Sequence, residues 1–292
     1  VKPSGDFSAK LPESGALIAA ALREDLGAGD LTTRLTVGPG VRARAVLIAR
    51  VGGVAAGLPL FAAVFHRLDP RVKVRLLASD GRPFSASAPL ARLEGPARAL
   101  LSGERVALNF LQRLCGIATL TRAYVDAARS RSRGVAVLDT RKTTPLLRAL
   151  EKYAVACGGG VNHRRGLYDA VLIKDNHVKA AGSVAEAVRA ARRGRTAVQV
   201  EVEGLEELEE ALAAGADSVL LDNFRTALLR RAVRRVGRFN AETGRRVLTE
   251  ASGGITLKSV GAFAATGVDR ISVGALTHSA PALDLSMEFD VR

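Results

Sequence analysis

The spacing of hydrophobic positions changes once along this chain, and the change divides it in two. In the first part the pattern is mixed. Leu17, Ile18, Ala21 and Leu22 recur at helical spacing and predict a helix over 13–26, stopped by Gly27. Residues 29–33, Gly-Asp-Leu-Thr-Thr, read as a turn. Stretches 42–57 and 71–77 are β-like with a helix over 60–68 between them, and Ser79-Asp80-Gly81-Arg82-Pro83 is a strong turn. Short strands and turns continue through Pro96. A long helix is predicted from Glu104, opened by Gly103, to about Ser130, with an apolar stripe of Val106, Phe110, Leu111, Leu114, Ile117 and Ala118. Without any βαβ rhythm, this half predicts a compact α+β unit. Residues 1–12 hold Pro, Ser and Gly without periodicity and predict a loose arm.

From Val135 the rhythm becomes strand, helix, strand, helix. Candidate strands are 135–138, 170–173, 198–202, 218–221, 247–250 and 270–273, and candidate helices are 145–157, 184–193, 205–214, 226–236 and 257–266. Gly158, Gly194, Gly215, Gly237 and Gly267 fall where C-caps belong, and Ser183 and Thr256 where N-caps belong. Repeated βα units without G-x-G-x-x-G favour a (β/α) barrel over a doubly wound sheet. Residues 283–289 alternate with period two and predict one more strand, outside the barrel.

Strand ends of a parallel barrel build its site, so their residues are the candidates for chemistry. The first strand ends in Asp139, Thr140, Arg141 and Lys142; the second ends in Lys174, with His163 and Arg164 just before it. So many cations beside buried strands repel one another unless an anion sits among them. In 198–203 the valines share one face, leaving Gln199, Glu201 and Glu203 on the other. If the valines face the helices, Glu201 points inward, where a lone carboxylate needs a cation, a metal or a substrate hydroxyl. Asp222 closes the next strand in the same way. The last two strands carry Ser252-Gly253-Gly254 and Val273-Gly274-Ala275, late glycine loops of the kind that cradle phosphate in barrels, although tight turns alone would look similar. His163 beside Arg164 and Arg165 favours anion binding, whereas His66, His177 and His278 lack ligand spacing and read as structural. Gly158 to Gly160 read as a helix stop and hinge. Arg105, in the first turn of the predicted long helix, opposes the macrodipole by ~0.3–1 kcal/mol and calls for an anion, either Glu104 or a bound carboxylate.

Composition narrows the classes. The chain has 292 residues, 48% of them hydrophobic and 25% charged, as in a folded globular protein, and no apolar run long enough to span a bilayer. No signal-peptide pattern opens it. The net charge of +14 would suit nucleic acid, anionic lipid or small polyanions, but aromatics are 4% and Trp is absent, so base stacking is poorly supplied. Arg230, Arg231, Arg234, Arg235 and Arg238 read as a solvated helix face. Cys115 and Cys157 read as core filler in a reducing, cytoplasmic setting. P-loop, zincin, α/β-hydrolase and zinc-ribbon motifs are absent. Fixed cations, two acids and a phosphate cradle suit transfer chemistry on a phosphorylated sugar.

Nearly the whole chain resembles the quinolinate phosphoribosyltransferases. The stretches that carry the resemblance start at Glu24-Asp25-Leu26-Gly27-Ala28-Gly29-Asp30-Leu31-Thr32-Thr33 and Gly103-Glu104-Arg105-Val106-Ala107-Leu108-Asn109. They continue through Asp139-Thr140-Arg141-Lys142-Thr143-Thr144-Pro145, Gly158 to Arg164, Ile173-Lys174-Asp175-Asn176-His177 and Val200-Glu201-Val202. The last are Leu221-Asp222-Asn223-Phe224, Glu250 to Ile255 and Val273 to Thr277. No motif residue departs from the family pattern. The resemblance implies an α/β fold: an N-terminal α+β sandwich domain over 1–115, joined by a returning strand over 280–292, and an incomplete (β/α) TIM-like barrel over 116–279. It also implies a homodimer in which the N-terminal domain of one subunit covers the barrel of the other, so that Arg105 reaches the partner's site.

The implied reaction joins quinolinate to 5-phosphoribosyl 1-diphosphate with Mg2+, giving nicotinate mononucleotide, diphosphate and CO2. On that reading Arg105, Arg141, His163, Arg164 and Lys174 neutralise the ring carboxylates beside Thr140, and Lys142 takes the diphosphate with the metal. Glu201 and Asp222 hold ribose hydroxyls or Mg2+, and Ser252, Gly253, Gly254, Val273, Gly274 and Ala275 cradle the 5-phosphate. Lys142, Lys174, Glu201 and Asp222 are the expected catalytic set. Two alternatives stay open: a sister enzyme on the same scaffold acting on nicotinate, which the number of cations argues against, and a non-catalytic basic protein binding nucleic acid through the arginine-rich helix. The family reading expects neither nucleic-acid nor membrane partners.

Overall fold

The computed structural model describes residues 11–194 and 196–291; the arm expected over 1–12 lies almost wholly outside them. In chain order the first elements are α1 (Gly15–Leu26), α2 (Leu31–Thr36), β1 (Arg42–Ala49), β2 (Gly53–Val54), α3 (Leu58–Leu68), β3 (Lys73–Leu76), β4 (Pro83–Phe84), β5 (Pro89–Pro96) and α4 (Ala97–Arg129). Then come β6 (Ala136–Leu138), α5 (Arg148–Cys157), β7 (Val171–Ile173), α6 (Asp175–Ala181), α7 (Val184–Arg192), β8 (Val198–Val202) and α8 (Leu205–Ala214). The chain closes with β9 (Ser218–Asp222), α9 (Thr226–Thr243), β10 (Leu248–Ser252), α10 (Val260–Ala264), β11 (Arg270–Ser272), α11 (Ala275–His278) and β12 (Leu285–Val291). These make two compact units, one of residues 123–143 and 160–278, the other of residues up to 122 with 144–159 and 279 onward.

The second of these is an antiparallel sheet in the order β12-β1-β5-β3 with helices and a small β2–β4 ribbon. Alternate residues of β1, Ala43, Ala45, Leu47 and Ala49, are buried, as period-two patterning requires. The closing strand pairs with β1 from Ala43↔Val291 to Ala49↔Leu285, so the C-terminal alternation forms a sheet edge here, outside the barrel. Phe61 and Phe65 on α3 meet edge to face at 5.1 Å in the core.

Several boundaries differ from the sequence reading. Residues 31–36 form a helix instead of a turn, because Asp30 accepts from the Thr33 backbone N–H at 2.9 Å and from its hydroxyl at 2.6 Å, capping the first turn. The long helix starts at Ala97 rather than Glu104. Gly103 is a packing position: a Cβ there would lie 2.8 Å from Leu68 and 3.0 Å from Phe65. Arg105 therefore sits well inside the helix, and the dipole argument for an anion beside it lapses. Gly237 lies inside α9, which runs on to Thr243 and is capped by Gly244 at φ +71. One exposed glycine costs a helix only ~1 kcal/mol, which the buried Leu229, Ala232 and Val236 outweigh.

The other unit is a six-stranded parallel sheet in the order β6-β11-β10-β9-β8-β7. Its end strands β6 and β7 do not pair, so it is an open (β/α) barrel with two strands fewer than a closed one. Val198, Val200 and Val202 are fully buried, which turns Gln199 and Glu201 the other way. Arg230, Arg231, Arg234 and Arg238 are exposed on α9, while Arg235 pairs with Glu209 on α8. Among the described residues no helix is long and apolar enough to cross a membrane.

Candidate active site

The C-terminal ends of the parallel strands surround a cavity of about 590 Å3, within the size range of small-molecule sites. The barrel-half residues assigned to substrate by the family resemblance line it: Thr140, Arg141 and Lys142 after β6, His163 and Arg164 before β7, and Lys174 after it. Glu201 on β8, Asp222 on β9, Ser252, Gly253 and Gly254 after β10, and Val273, Gly274 and Ala275 after β11 complete them. Leu172, Leu220 and Ile255 add apolar wall. Arg105 is exposed on α4, in the other unit.

Local bonding sets how each group is presented. Thr140 Oγ1 accepts from the Lys142 backbone N–H at 3.0 Å, and the Thr277 hydroxyl donates to the Lys142 carbonyl at 2.7 Å, which holds the cationic turn. Burial pushes the Arg164 guanidinium down, and the Arg141 charge pushes it further the same way, with Asp169 opposing. The Arg141 charge thus bears on Arg164, a repulsion that a bound anion would relieve. Lys174 Nζ donates to Glu201 Oε2 at 2.6 Å, which supplies the cation that an inward carboxylate needs.

Two hydrogen bonds orient His163. Its backbone N–H donates to the buried Asp139 at 2.8 Å, and its Nδ1 accepts from the Arg164 backbone N–H at 2.7 Å. That acceptor role places the ring proton on Nε2, which lies 3.5 Å from Glu250 Oε1. Glu250 was absent from the sequence candidates. It is 1% exposed on β10 and accepts from Gln199 Nε2 at 2.9 Å and from the Ser272 hydroxyl. Burial acts to raise its carboxyl, but His163, Ser272 and Gln199 outweigh burial and leave it below the usual carboxylate range.

His278, read from sequence as structural, also lines the cavity, where a Cβ on Gly274 would come within 3.0 Å of its Nε2. Tyr124, Asn223, Thr256 and Ser272 line it too and were likewise missed. For Asn223, Thr256 and Ser272 the available signal was position, since each follows or neighbours a strand end already marked by a charge or a glycine; Tyr124, within α4, carried no such signal. His177 serves a cap instead, its Nδ1 accepting from the Lys174 backbone N–H at 2.9 Å.

An open parallel barrel whose strand ends gather cations, acids and glycine loops defines a class of α/β proteins built to hold anionic, phosphorylated ligands. Comparison with known families makes this particular. Residues 30–115 match the model of the quinolinate phosphoribosyl transferase N-terminal domain, and residues 117–288 match that of its C-terminal domain. The chain belongs to the quinolinate phosphoribosyl transferase family.

It is 47% identical to a probable nicotinate-nucleotide pyrophosphorylase (carboxylating) of Bacillus subtilis (strain 168), over 91% of this chain and 89% of that one. A nicotinate-nucleotide pyrophosphorylase (carboxylating) of Mycobacterium leprae is 44% identical, over 93% of this chain and 95% of that one. The crystal structure of NadC from Streptococcus pyogenes superposes with a TM-score of 0.91 at 40% identity, covering 98% of this chain and all of that one.

Proposed function

We infer that this chain transfers the phosphoribosyl group of 5-phosphoribosyl 1-diphosphate to quinolinate with loss of CO2, giving nicotinate mononucleotide and diphosphate for NAD biosynthesis. The observation that carries this reading is the meeting of Arg141, Arg164, Lys142 and Lys174 with Glu201, Asp222 and two glycine loops in one cavity. A dianionic pyridine relieves the Arg141–Arg164 repulsion, and apolar wall suits the ring faces. When a substrate carboxylate takes Lys174, Glu201 is released from its 2.6 Å bond and can accept from a ribose hydroxyl. Asp222 does the same from the neighbouring strand. Both acids stabilise the positive charge that grows at the anomeric carbon as its bond to diphosphate breaks.

The ring nitrogen then forms its bond to that carbon, and diphosphate leaves with the electron pair of the broken C–O bond, met by Lys142. In the second step the bond from ring C2 to its carboxylate breaks. The electron pair stays at C2 beside the cationic nitrogen, CO2 departs, and a proton replaces it. Backbone N–H groups of the Ser252–Gly254 and Val273–Ala275 segments are assigned to the 5-phosphate.

Among the described residues no three His, Cys, Asp or Glu side chains cluster as a metal site. One or two carboxylates, with phosphate oxygens, is nevertheless the donor set Mg2+ prefers in phosphate chemistry, and Asp222 and Glu201 fit it. When bound, the ion would neutralise charge on the diphosphate. We assign a homodimer in which the partner subunit's Arg105 completes the site. Arg105 is solvent-exposed, and Leu35 (76% exposed) and Tyr168 (85% exposed) are large apolar groups that an interface would cover. The free, buried Cys115 and Cys157 support a reducing, cytoplasmic setting.

Purified protein given quinolinate, 5-phosphoribosyl 1-diphosphate and Mg2+ is expected to form nicotinate mononucleotide and release CO2. Full activity on nicotinate with none on quinolinate would overturn the substrate assignment.

A further inference from the structure

Asn223 is one of three non-glycine residues with positive φ among those described, at +56°. Asn tolerates the left-handed region better than most residues, but it is still an uncommon conformation for a side-chain-bearing residue. Here it follows Asp222 at the end of β9 and turns the backbone back toward β10. Its N–H donates to the Ser252 carbonyl at 2.9 Å, tying the end of one strand to the start of the glycine loop on the next. Its side-chain amide donates to Asp222 Oδ2 at 2.7 Å, which fixes the carboxylate's rotation.

The same side chain also explains why Gly253 is glycine. Gly253 has φ +99, and a Cβ built there would collide with Asn223 Oδ1 and come within 2.8 Å of its Cγ and 2.9 Å of its backbone N. The loop backbone therefore packs directly on the Asn223 amide. One residue touches the carboxylate on one strand and the glycine loop on the next, and all three line the cavity.

We propose that Asn223 is a positioning residue that couples the Asp222 carboxylate to the Ser252–Gly254 loop, so that ribose-hydroxyl and 5-phosphate recognition are set together. The proposal rests on the phosphoribosyl-transfer reading of the cavity. It assigns Asn223 to the sugar-phosphate substrate and leaves the recognition of quinolinate to Arg141, Arg164 and Lys174.

The decisive variant is Asn223→Gly, which keeps the left-handed backbone free of strain and deletes only the amide. It should unfold within a few degrees of the parent protein and raise KM for 5-phosphoribosyl 1-diphosphate by roughly tenfold, the scale of losing one hydrogen bond to a charged group. KM for quinolinate should change less than about twofold, a split that a general loosening of the fold would not produce. Asn223→Asp keeps the size but sets a second carboxylate against Asp222, and should raise the same KM further. Equal KM values for parent and Asn223→Gly, or equal rises for both substrates, overturn the proposal.

Calorimetric binding of ribose 5-phosphate separates this idea from the reaction itself. If the parent protein makes no nicotinate mononucleotide yet binds ribose 5-phosphate more tightly than Asn223→Gly, the reaction assignment falls and the coupling stands. If the parent does not bind ribose 5-phosphate, or both bind it alike, the coupling falls.

Discussion

Glu250→Gln changes a charge with almost no change in volume, and the buried network around it allows its effect to be worked out. In the parent protein the carboxylate accepts from Gln199 at 2.9 Å and from the Ser272 hydroxyl, with His163 Nε2 at 3.5 Å. A hydrogen bond to a charged group exceeds a neutral one by about 1 kcal/mol, so the two bonded partners are worth about 2 kcal/mol. Burial of the charge at 1% exposure opposes this, and the net lowering of the carboxyl shows that the partners win. A loss of about 1–2 kcal/mol at pH 7 follows, or about 4 °C in Tm for a chain of this size.

The pH dependence has a definite sign. A carboxyl held lower in the folded state than in the unfolded one, where it is about 4.3, contributes all of its stability above that value. The contribution is lost as pH falls through the lower folded value. The gap between parent and variant should therefore be constant from pH 7 to pH 5 and close below about pH 4. Thermal unfolding followed by circular dichroism at pH 7, 5, 4 and 3 measures it. No gap at pH 7, or one that persists undiminished at pH 3, refutes the account of Glu250 as an ionised, buried anchor.

Arg164→Ala should raise KM for quinolinate roughly 10- to 100-fold, the scale of a lost charge-assisted bond of about 1.5–3 kcal/mol, and steady-state kinetics with an unchanged KM would reassign that guanidinium. Arg105→Ala and Glu201→Ala proteins, each inactive alone, should regain some activity when mixed, because a mixed dimer holds one intact composite site; no recovery after verified subunit exchange counts against a shared site. Removing divalent metal with a chelator should abolish turnover, and added Mg2+ should restore it. Turnover that survives chelation would leave Asp222 and Glu201 without a metal role.

The barrel half was the more legible in sequence, and its residues show why. There β6, β7 and β9 are short apolar runs that stop at a charge, so their ends pointed to Arg141, Lys174 and Asp222, whereas Glu201 depended on which way the valines of β8 face and Gly253 on a glycine pair that a tight turn would also explain. The unit built on the antiparallel sheet was less legible, because its glycines answer to packing as well as to turns. Gly103 suggested a helix opening but accommodates Leu68 and Phe65, and Gly158 admits the Ala118 carbonyl and Thr121 where a Cβ would come within 2.5 Å of both. Asp30 could have been recognised as a cap from its side chain and the Thr at N3, but that signal also fits a turn.

The amino-acid order alone determined the alternation of strand and helix, the sharing of one face of β8 by its three valines, and which strand ends carry charge, since these depend only on local periodicity. Which charges meet was decided by strand order. Gln199 on β8, Glu250 on β10 and Ser272 on β11 are far apart in sequence and bond only because parallel pairing brings their strands into one sheet, with Glu250 opposite Leu220 and Arg270 and Gln199 opposite Ser218. Asn223 is likewise an ordinary residue in the sequence. It becomes a clamp only once β10 lies beside β9 and brings Gly253 against its amide.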